Sequence, residues 1–412
     1  MDIRIFPGPL KGELTPPASK SHLHRALICA FLSDKPTILT GAGEISGDIA
    51  ATIGAIKALG ARVTREEGKI CVSPDILPIK KEINCAQSGS TLRFMLPVAA
   101  SLGVDVDFLT EGSLSKRPVE ELIGQLSKHG CSFEGYHLVS GKLTGGEYEI
   151  SGNISSQYLS GLLMALPLIG DECEINLTTP LYSKPYADMT LEVLSDFGIK
   201  IIPKQNGYII PGGQSFTSPG EIIIQRDWSC AAVWICAGAV RGEVDLKGME
   251  LSCVQGDKKV VELLQRAKAD ISTDKDNITV KESPLEGLEI YAGDIPDTVP
   301  ALCSAFAYAQ GRTVIKEVGR LKYKESDRLS NCITTLNSFG SKAYETEDSI
   351  VIEGGTAKNA EVSSFGDHRM AMAQMILSLS EGGVIRGAQC VDKSYPAFWE
   401  DFKALGGDYE EI

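Results

Sequence analysis

A short polar segment followed by a strongly apolar, helix-like run recurs six times along the chain, and this repeat limits the possible folds most. The steps between corresponding positions are 68, 67, 73, 68 and 70 residues, which is too regular for unrelated helices. Such repeats exceed the roughly 20–45 residues of a solenoid unit, so each copy must contain several elements. The corresponding positions are Ser21, Gly89, Ser156, Ser229, Asp297 and Asp367.

A second repeated pattern falls between these runs. It is an amphipathic helix that ends in a small residue and is followed by a strand-like run. Glycine is the usual residue after the last helical turn, because it adopts the left-handed conformation without a Cβ clash. The six ends are Gly60, Gly130, Gly198, Ala269, Gly340 and Gly406, so only the fourth copy lacks glycine.

Short β-rich runs between the helices predict an α/β protein in which three repeats form each of two compact domains. We place the first domain at residues 15–225. The second comprises residues 1–14 and 226–412, because residues 2–7 form a predicted strand before the first repeat. The alternative, that apolar helices recur in any α/β protein, is disfavoured by the regular spacing of both patterns. The strand-like runs include 69–72, 148–150, 208–210, 221–224 and 349–352.

The composition excludes several classes of protein. A net charge of −14 and a pI of about 5.0 argue against a nucleic-acid surface, although a local cation cluster can still bind small anions. No apolar run is long enough to span a bilayer, and the first ten residues do not resemble a signal peptide. The eleven cysteines are scattered and lack metal-ligand spacing. We therefore expect buried free thiols, no metal and a cytoplasmic location.

The polar starts of the apolar helices carry residues suited to anions. A buried helix leaves its first N–H groups in need of partners, and these groups attract negative charge together with the helix dipole. Arg93 and Arg369 lie inside apolar runs, so each needs a buried partner or a ligand. For a serine at a helix start, the simpler alternative is an N-cap. The polar starts contain Lys20, Ser21, Arg25, Gly89, Ser90, Arg93, Ser155, Ser156, Gln157, His368 and Arg369.

Two further segments add charge. Arg117 stands before a proline where a helix is predicted to begin. Lys324, Glu325 and Arg328 lie near the start of the fifth amphipathic helix, and residues 324 and 328 share a helix face. A solvated, salt-bridged helix start is the alternative for this segment, and both interpretations stay open. Trp228, at the start of the fourth apolar helix, either faces a ligand or packs.

The motifs, taken in order, resemble those of the enolpyruvyl transferase family, and within it the members that act on shikimate 3-phosphate. They are SKSHLHRAL, SGSTLR, KRP, SSQYLSGLLMALPL, SKPY, IPD, KESDR, GDHRMAMA and DKSYPAF, running from Lys20 to Phe398. The resemblance implies two domains, each of three βαβαββ units of the inside-out α/β barrel type, with the active site in the cleft between them. It also implies transfer of the enolpyruvyl group of phosphoenolpyruvate to the 5-hydroxyl of shikimate 3-phosphate in aromatic amino acid and chorismate biosynthesis, with phosphate release and without a cofactor or metal.

The same resemblance assigns roles to individual residues. Asp297 is the implied proton acceptor from the hydroxyl, Glu325 the donor to the methylene carbon, and Lys20 an assisting group. Seven cations, Lys20, Arg25, Arg117, Lys324, Arg328, Arg369 and Lys393, match about six negative charges on the two ligands. Shikimate 3-phosphate is assigned to Lys20, Ser21, Arg25, Ser155, Ser156, Gln157, Ser183, Asp297 and Lys324. Phosphoenolpyruvate is assigned to Lys20, Gly89, Arg93, Arg117, Gln157, Arg328, Arg369 and Lys393.

Other functions remain as alternatives. The sister enzymes that act on UDP-N-acetylglucosamine usually carry a cysteine shortly before the Arg-Pro pair, and residues 111–118 contain none. A non-catalytic binder of phosphorylated metabolites needs the cations but not both Asp297 and Glu325. A nucleic-acid end-processing enzyme on a related repeat fold is disfavoured by the acidic pI. The chain departs from the family pattern at Gln87, Ser90 and Arg320, which leaves one acceptor contact unassigned. We expect a monomer.

Overall fold

The chain folds into two compact units. The computed structural model describes residues 1–66, 68–75, 80–355 and 357–412. The first unit is Ala18–Gln225, and the second unit is Met1–Pro17 together with Arg226–Ile412. The chain therefore passes between the units twice, after Pro17 and after Gln225. From the sequence we placed these passages after residue 14 and after residue 225.

The described residues form 24 strands and twelve helices. Strands β1 (Ile3–Phe6) and β2 (Leu10–Leu14) open the chain and belong to the second unit. The first unit follows with α1 (Lys20–Leu32), β3 (Thr37–Thr40), α2 (Gly47–Ala58), β4 (Arg62–Glu66), β5 (Lys69–Ser73), β6 (Glu82–Asn84), α3 (Gly89–Leu102), β7 (Val106–Leu109), α4 (Glu120–Lys128), β8 (Cys131–Glu134), β9 (His137–Gly141), β10 (Gly146–Ile150), α5 (Ser156–Ala165), β11 (Cys173–Leu177), α6 (Lys184–Asp196), β12 (Ile202–Lys204), β13 (Gly207–Ile210) and β14 (Glu221–Ile223).

The remaining elements complete the second unit. They are α7 (Trp228–Arg241), β15 (Gly242–Leu246), α8 (Lys259–Arg266), β16 (Asp270–Asp274), β17 (Asn277–Lys281), β18 (Glu289–Tyr291), α9 (Val299–Phe306), β19 (Arg312–Lys316), α10 (Arg328–Ser338), β20 (Lys342–Thr346), β21 (Ser349–Glu353), β22 (Ala360–Ser363), α11 (His368–Glu381), β23 (Gly383–Arg386), α12 (Phe398–Ala404) and β24 (Asp408–Glu411). The five strand-like runs predicted from the sequence lie in β5, β10, β13, β14 and β21.

Six four-stranded sheets share one topology. In the sheet β6-β7-β9-β8, a parallel pair is followed by an antiparallel hairpin, with Ile83 opposite Phe108. Its chain order, β6-α3-β7-α4-β8-β9, is a βαβαββ unit. The other sheets are β14-β3-β5-β4, β10-β11-β13-β12, β16-β17-β15-β2, β18-β19-β21-β20 and β22-β23-β1-β24. The predicted α/β fold of three such units in each half is thus confirmed.

Near the two points where the chain passes between the units, strands that are distant in sequence pair in the same sheet. Strand β14, at the end of the first unit, pairs in parallel with β3 near its start. Ser19 N–H donates to the Gln225 carbonyl at 2.7 Å, within the first unit. In the second unit, β2 pairs with β15, and Asp227 N–H donates to the Pro17 carbonyl at 2.9 Å. In each unit, the residue beside the first passage is therefore hydrogen-bonded to a residue beside the second passage.

The six apolar helices are buried because they have no polar face to expose. Twelve of the fourteen residues of α3 are buried, and so are twelve of the fourteen of α11. In the second unit α7, α9 and α11 pack against one another. Amphipathic helices differ: α8 buries Val260, Val261, Leu263 and Leu264 and leaves its polar residues towards solvent. The two repeated sequence patterns thus correspond to fully buried and half-buried helices.

Trp228 is a packing residue. Its side chain is 1% exposed, and its Nε1 donates to the Glu250 carbonyl at 3.3 Å. The ligand-facing alternative for this residue was therefore wrong.

All eleven cysteines lie in the described ranges and are free thiols, nine of them buried.

The ends of the amphipathic helices explain the glycine pattern and correct one position. Gly60 is left-handed, with φ +107°. Its N–H donates to the Lys57 carbonyl, and the N–H of Ala61 donates to the Ile56 carbonyl. These two hydrogen bonds define a Schellman motif. In the fourth copy the left-handed residue is Lys268, with φ +74° and the same two hydrogen bonds. The sequence alignment that placed Ala269 there was one residue off, because it assumed a small residue at this position.

Replacing Lys268 with glycine should stabilise the protein. A side chain at a left-handed position costs roughly 1–2 kcal/mol of backbone strain, partly offset by the flexibility that glycine adds to the unfolded chain. We expect Lys268→Gly to raise the free energy of unfolding by about 1 kcal/mol, measured in urea. Lys268→Ala keeps the Cβ and is the control. Equal stability of the two variants would contradict the strain argument.

Candidate active site

In the first unit, the start of α1 pairs a lysine with an acid that the sequence analysis did not select. The Lys20 ammonium lies 2.7 Å from Asp48 Oδ2, and the two side chains are 16% and 8% exposed. Asp48 lies in the first turn of α2, and Ser19 caps α1 by accepting from His22 N–H. An anion that binds Lys20 must therefore compete with, or share, the carboxylate of Asp48.

Most N–H groups of Arg25 donate hydrogen bonds to neutral groups of the protein. Its Nε donates to Thr190 Oγ1 at 2.7 Å, and its Nη2 donates to Ser160 Oγ at 3.1 Å and to the Tyr186 carbonyl at 3.0 Å. Its Nη1 donates to the Ser21 carbonyl at 2.7 Å. Burial lowers the pKa of Arg25 to about 10, which leaves it charged at neutral pH. Arg25 thus ties α1 to α5 and α6, and one Nη1 hydrogen is left for other contacts.

Two guanidinium groups converge on the start of α3. A Cβ built on Gly89 would lie 2.7 Å from Arg117 Nη1 and 2.9 Å from Arg93 Nη1, so only glycine admits both groups. Arg93 also donates to Gln157 Oε1 at 2.8 Å, and Gln157 Nε2 donates to Ser90 Oγ at 2.9 Å. The structure therefore brings together five residues predicted from three separate motifs. Backbone N–H groups and two guanidinium groups at one helix start are suited to bind an anion.

A chain of buried hydroxyls joins the starts of α1 and α3. His24 Nδ1 lies 2.6 Å from Thr52 Oγ1, which lies 2.6 Å from Thr91 Oγ1. Thr91 Oγ1 donates to Ser88 Oγ, the N-cap of α3, at 2.8 Å. Because Thr91 gives its proton to Ser88, it accepts from Thr52, and His24 Nδ1 must then carry a proton. This chain fixes three helices relative to one another inside the first unit.

The remaining serines lie at two other helix starts of the first unit. Ser155 caps α5 by accepting from Gln157 N–H, and Ser156 is the buried first residue of that helix. Ser183 precedes α6 in a left-handed conformation, with φ +54° and a side chain that is 2% exposed. Such strain in a residue other than glycine persists only where the surroundings hold it, and it is common at binding sites.

In the second unit, one buried arginine holds three carboxylates. Arg328 is 1% exposed and binds Asp367 with two contacts, Nε–Oδ2 at 2.8 Å and Nη2–Oδ1 at 3.1 Å. It also donates to Asp297 Oδ1 at 2.6 Å and to Glu325 Oε2 at 2.7 Å. We call these four residues, with Lys324, the Arg328 cluster. Burial alone would lower the pKa of Arg328, but the carboxylates raise it well above its usual value.

Asp297 is held in its charged form by the same cluster. Its Oδ1 accepts from Lys324 Nζ at 3.2 Å as well as from Arg328. Burial would raise the pKa of Asp297, but the nearby cations, Lys324 first among them, hold it well below its usual value. Burial lowers the pKa of Lys324 despite the attraction of Asp297. A carboxylate and an ammonium group thus lie side by side with side chains 23% and 22% exposed.

Arg369 and Lys393 have different surroundings. Arg369 is 5% exposed, lies 4.0 Å from Asp227 Oδ1, and donates to Cys230 Sγ at 3.7 Å. Asp227 is the N-cap of α7, so Arg369 reaches from α11 to that helix start. Lys393 is half-buried at the end of a 3-10 turn, Ala388–Lys393, and among the described residues its side chain has no hydrogen-bond or ion-pair partner. It is the most available of the predicted cations.

The sequence analysis selected Asp297 and Glu325 but missed three other carboxylates that balance the cations, Asp48, Asp227 and Asp367. Four of the seven counted cations, Lys20, Lys324, Arg328 and Arg369, lie within 4.0 Å of a carboxylate. Asp227 and Asp367 directly precede apolar helices, so their N-cap positions were a usable signal. Asp48 had no such signal. The positive charge open to ligands is therefore smaller than the count of cations suggested.

Neither a membrane span nor a metal cluster is found in the part of the chain that the structure describes. No helix there has the length and apolar character to cross a bilayer. No group of three or more His, Cys, Asp or Glu side chains there is placed to hold a metal ion.

Comparisons with known proteins match nearly the whole chain. A family model described as EPSP synthase (3-phosphoshikimate 1-carboxyvinyltransferase) matches residues 6–402. A relative named 3-phosphoshikimate 1-carboxyvinyltransferase from Clostridium beijerinckii is 38% identical, and the match covers 100% of this chain and 98% of the relative. The structure of EPSP synthase from Acinetobacter baumannii is similar with a TM-score of 0.83, 25% identity and full coverage of both chains. The enolpyruvyl transferase NikO from Streptomyces tendae, 18% identical with a TM-score of 0.81 over 100% of this chain and 98% of that one, shares the fold.

Removing the two-contact partner of Arg328 should destabilise the protein. Asp367→Ala leaves a buried guanidinium with fewer acceptors, although Asp297 and Glu325 remain, so we expect a loss of about 3 kcal/mol in the free energy of unfolding. Urea denaturation measures it. The control is Glu353→Ala, which removes an exposed partner of Lys342 and should change little. A loss no larger than in the control would show that Asp367 does not stabilise Arg328.

Proposed function

The chain belongs to the EPSP synthase family, and from this membership we propose that it transfers the enolpyruvyl group of phosphoenolpyruvate to the 5-hydroxyl of shikimate 3-phosphate and releases phosphate. One observation supports the proposal most. An ionised Asp297 and the carboxyl of Glu325 contact the same buried guanidinium, that of Arg328. A proton acceptor and a proton donor for addition to an enol double bond are thereby held at fixed positions.

The acceptor substrate is assigned to three helix-start serines, two lysines and further polar residues. Ser155, Ser156 and Ser183 lie at helix starts, where hydroxyl and N–H groups suit a phosphate. Lys20 and Lys324 supply compact charges. The full proposed set is Lys20, Ser21, Arg25, Ser155, Ser156, Gln157, Ser183, Asp297 and Lys324. Arg25 has four donors engaged within the protein, so its part is one contact at most and the fixing of α1.

Phosphoenolpyruvate is assigned to the guanidinium-rich groups. The convergence of Arg93 and Arg117 on Gly89 supports a phosphate or carboxylate there. Arg328 and Arg369 are buried, and nearby groups raise the pKa of both, so each stays charged and can pair with a carboxylate. The full proposed set is Lys20, Gly89, Arg93, Arg117, Gln157, Arg328, Arg369 and Lys393.

The proposed reaction is an addition followed by an elimination. Asp297 takes the proton of the 5-hydroxyl as its oxygen bonds to C2 of phosphoenolpyruvate. Glu325, protonated at this stage and assisted by Lys20, gives a proton to the methylene carbon, which becomes a methyl group. In the elimination, Glu325 takes back one methyl proton as the bond between C2 and the phosphate oxygen breaks, so the enol double bond forms again. Asp297 gives its proton to the departing phosphate, and both carboxyl groups return to their starting states. The low pKa of Asp297 supports its ionised starting state.

We also propose that the protein is a cytoplasmic monomer that binds no nucleic acid. Eleven free thiols and a pI of about 5.0 support this proposal.

The acceptor can be tested directly. Purified protein is incubated with phosphoenolpyruvate and either shikimate 3-phosphate or UDP-N-acetylglucosamine, and released phosphate is measured. We expect release only with shikimate 3-phosphate. Release with UDP-N-acetylglucosamine alone would make the chain a sister enzyme, and binding without release would make it a binding protein.

The proton-transfer roles predict two inactive variants. Asp297→Asn and Glu325→Gln should bind both substrates but lose at least ~10²-fold in kcat, the usual scale for general acid–base groups. Glu289→Gln is the control, because Glu289 is an exposed partner of Lys316 outside the Arg328 cluster. Near-normal turnover in Asp297→Asn or Glu325→Gln removes the role assigned to that residue.

A further inference from the structure

A buried acid that the proposed mechanism does not use lies beside Asp297. Asp257 is 2% exposed, in the 3-10 turn Gly256–Lys258 that precedes α8. Its Oδ1 accepts from Thr298 Oγ1 at 2.5 Å, and its Oδ2 accepts from Ser229 Oγ at 2.5 Å. Both oxygens act as acceptors, which is the pattern of an ionised carboxylate.

One of these contacts fixes the start of α7. Ser229 lies in the first turn of that helix. The neighbouring Gln255 accepts from Trp228 N–H at 3.1 Å and donates to the Arg226 carbonyl at 2.8 Å. The 255–257 segment therefore holds the beginning of α7 through three side-chain contacts.

The other contact reaches the residue next to the proposed base. Thr298 is 0% exposed and directly follows Asp297. Its N–H donates to the Ile295 carbonyl at 3.1 Å, which closes a turn around residue 297. Together with the contacts of Asp297 to Lys324 and Arg328, the hydroxyl bond to Asp257 anchors this turn to the rest of the second unit. Movement of Thr298 would move the backbone of Asp297 with it.

Asp257 and Asp297 also interact through their charges. Burial raises the pKa of Asp257, and the negative charge of Asp297 raises it further, against the lowering effect of its two hydroxyl donors. The pKa of Asp297, in contrast, is held well below its usual value, so Asp257 takes up a proton before Asp297 does as the pH falls. The influence of Asp257 on the proposed base is therefore one of position.

We propose that Asp257 is a positioning residue for Asp297 and acts on it through the hydroxyl of Thr298. The inference rests on the proposed role of Asp297. Two variants separate the contact from the charge of Asp257. Thr298→Val removes the contact and keeps the charge. Asp257→Asn removes the charge and keeps the shape, since the hydroxyls can turn to donate to its oxygen and accept from its amide.

The contact is tested by kcat. Thr298→Val should lower kcat about tenfold or more, because small misplacement of a reacting group is costly, with KM for both substrates within about twofold. Thr298→Ser restores the hydroxyl and should restore kcat. The matched control is Thr335→Val. It removes another buried threonine hydroxyl, in α10, that accepts a hydrogen bond from Gln374 in α11. This variant should lose about as much thermal stability as Thr298→Val and keep a normal kcat.

The acceptor is tested by two substitutions of Asp257. Asp257→Ala removes the oxygen that accepts from Thr298 and should lower kcat about as much as Thr298→Val does, with KM within about twofold. Asp257→Asn keeps an oxygen that can accept from Thr298 and should therefore keep most of the wild-type kcat.

The outcomes distinguish this inference from the proposed function. Wild-type kcat in Thr298→Val overturns the inference, and so does wild-type kcat in Asp257→Ala. If Asp257→Ala does not fold, the failure of Thr298→Ser to restore kcat overturns it. An inactive wild-type protein, or an active Asp297→Asn variant, refutes the proposed function instead.

Discussion

A helix that is apolar on every side must be buried, and its first N–H groups then need polar partners away from water. Six helices of this kind occur in the described chain, and each begins with a polar segment that the interior must accommodate. Ser19, Ser88, Ser155, Asp227 and Asp367 meet the demand as N-caps of five of them. The cations and hydroxyls of the proposed substrate site stand beside these caps. The burial of the helices and the chemistry of the site therefore have one origin.

The two units balance charge differently. In the first unit, Arg25 and Arg93 donate to neutral groups, and Arg93 converges with Arg117 on a helix start. An anion bound at that helix start would therefore face two guanidinium groups. In the second unit, carboxylates already surround Arg328, so an arriving anion must share the guanidinium with existing partners. This arrangement favours precise placement of acid–base groups over simple electrostatic attraction.

Two acids of the second unit show how surroundings set proton affinity. Cations hold the partly exposed Asp297 in its ionised form. Burial raises the pKa of Asp257, against the lowering effect of its two hydroxyl donors. Asp257 therefore takes up a proton before Asp297 does as the pH falls.

Local sequence patterns were enough to establish the number of repeats, the α/β class, the helix starts and most helix ends, because periodic burial and left-handed glycines are local properties. They failed at Lys268, where the backbone accepts strain at a position that the pattern expects glycine to fill. They also selected most cations of the proposed site, since an arginine inside an apolar run must have a buried partner or a ligand. The pairing of β14 with β3, the burial of Trp228 and the partners of the cations came only from the folded arrangement. Arg25 contacts Thr190, 165 positions away, and Asp257 reaches Thr298, 41 positions away. Such contacts depend on how the helices pack, and a linear pattern contains no record of the distance between helices.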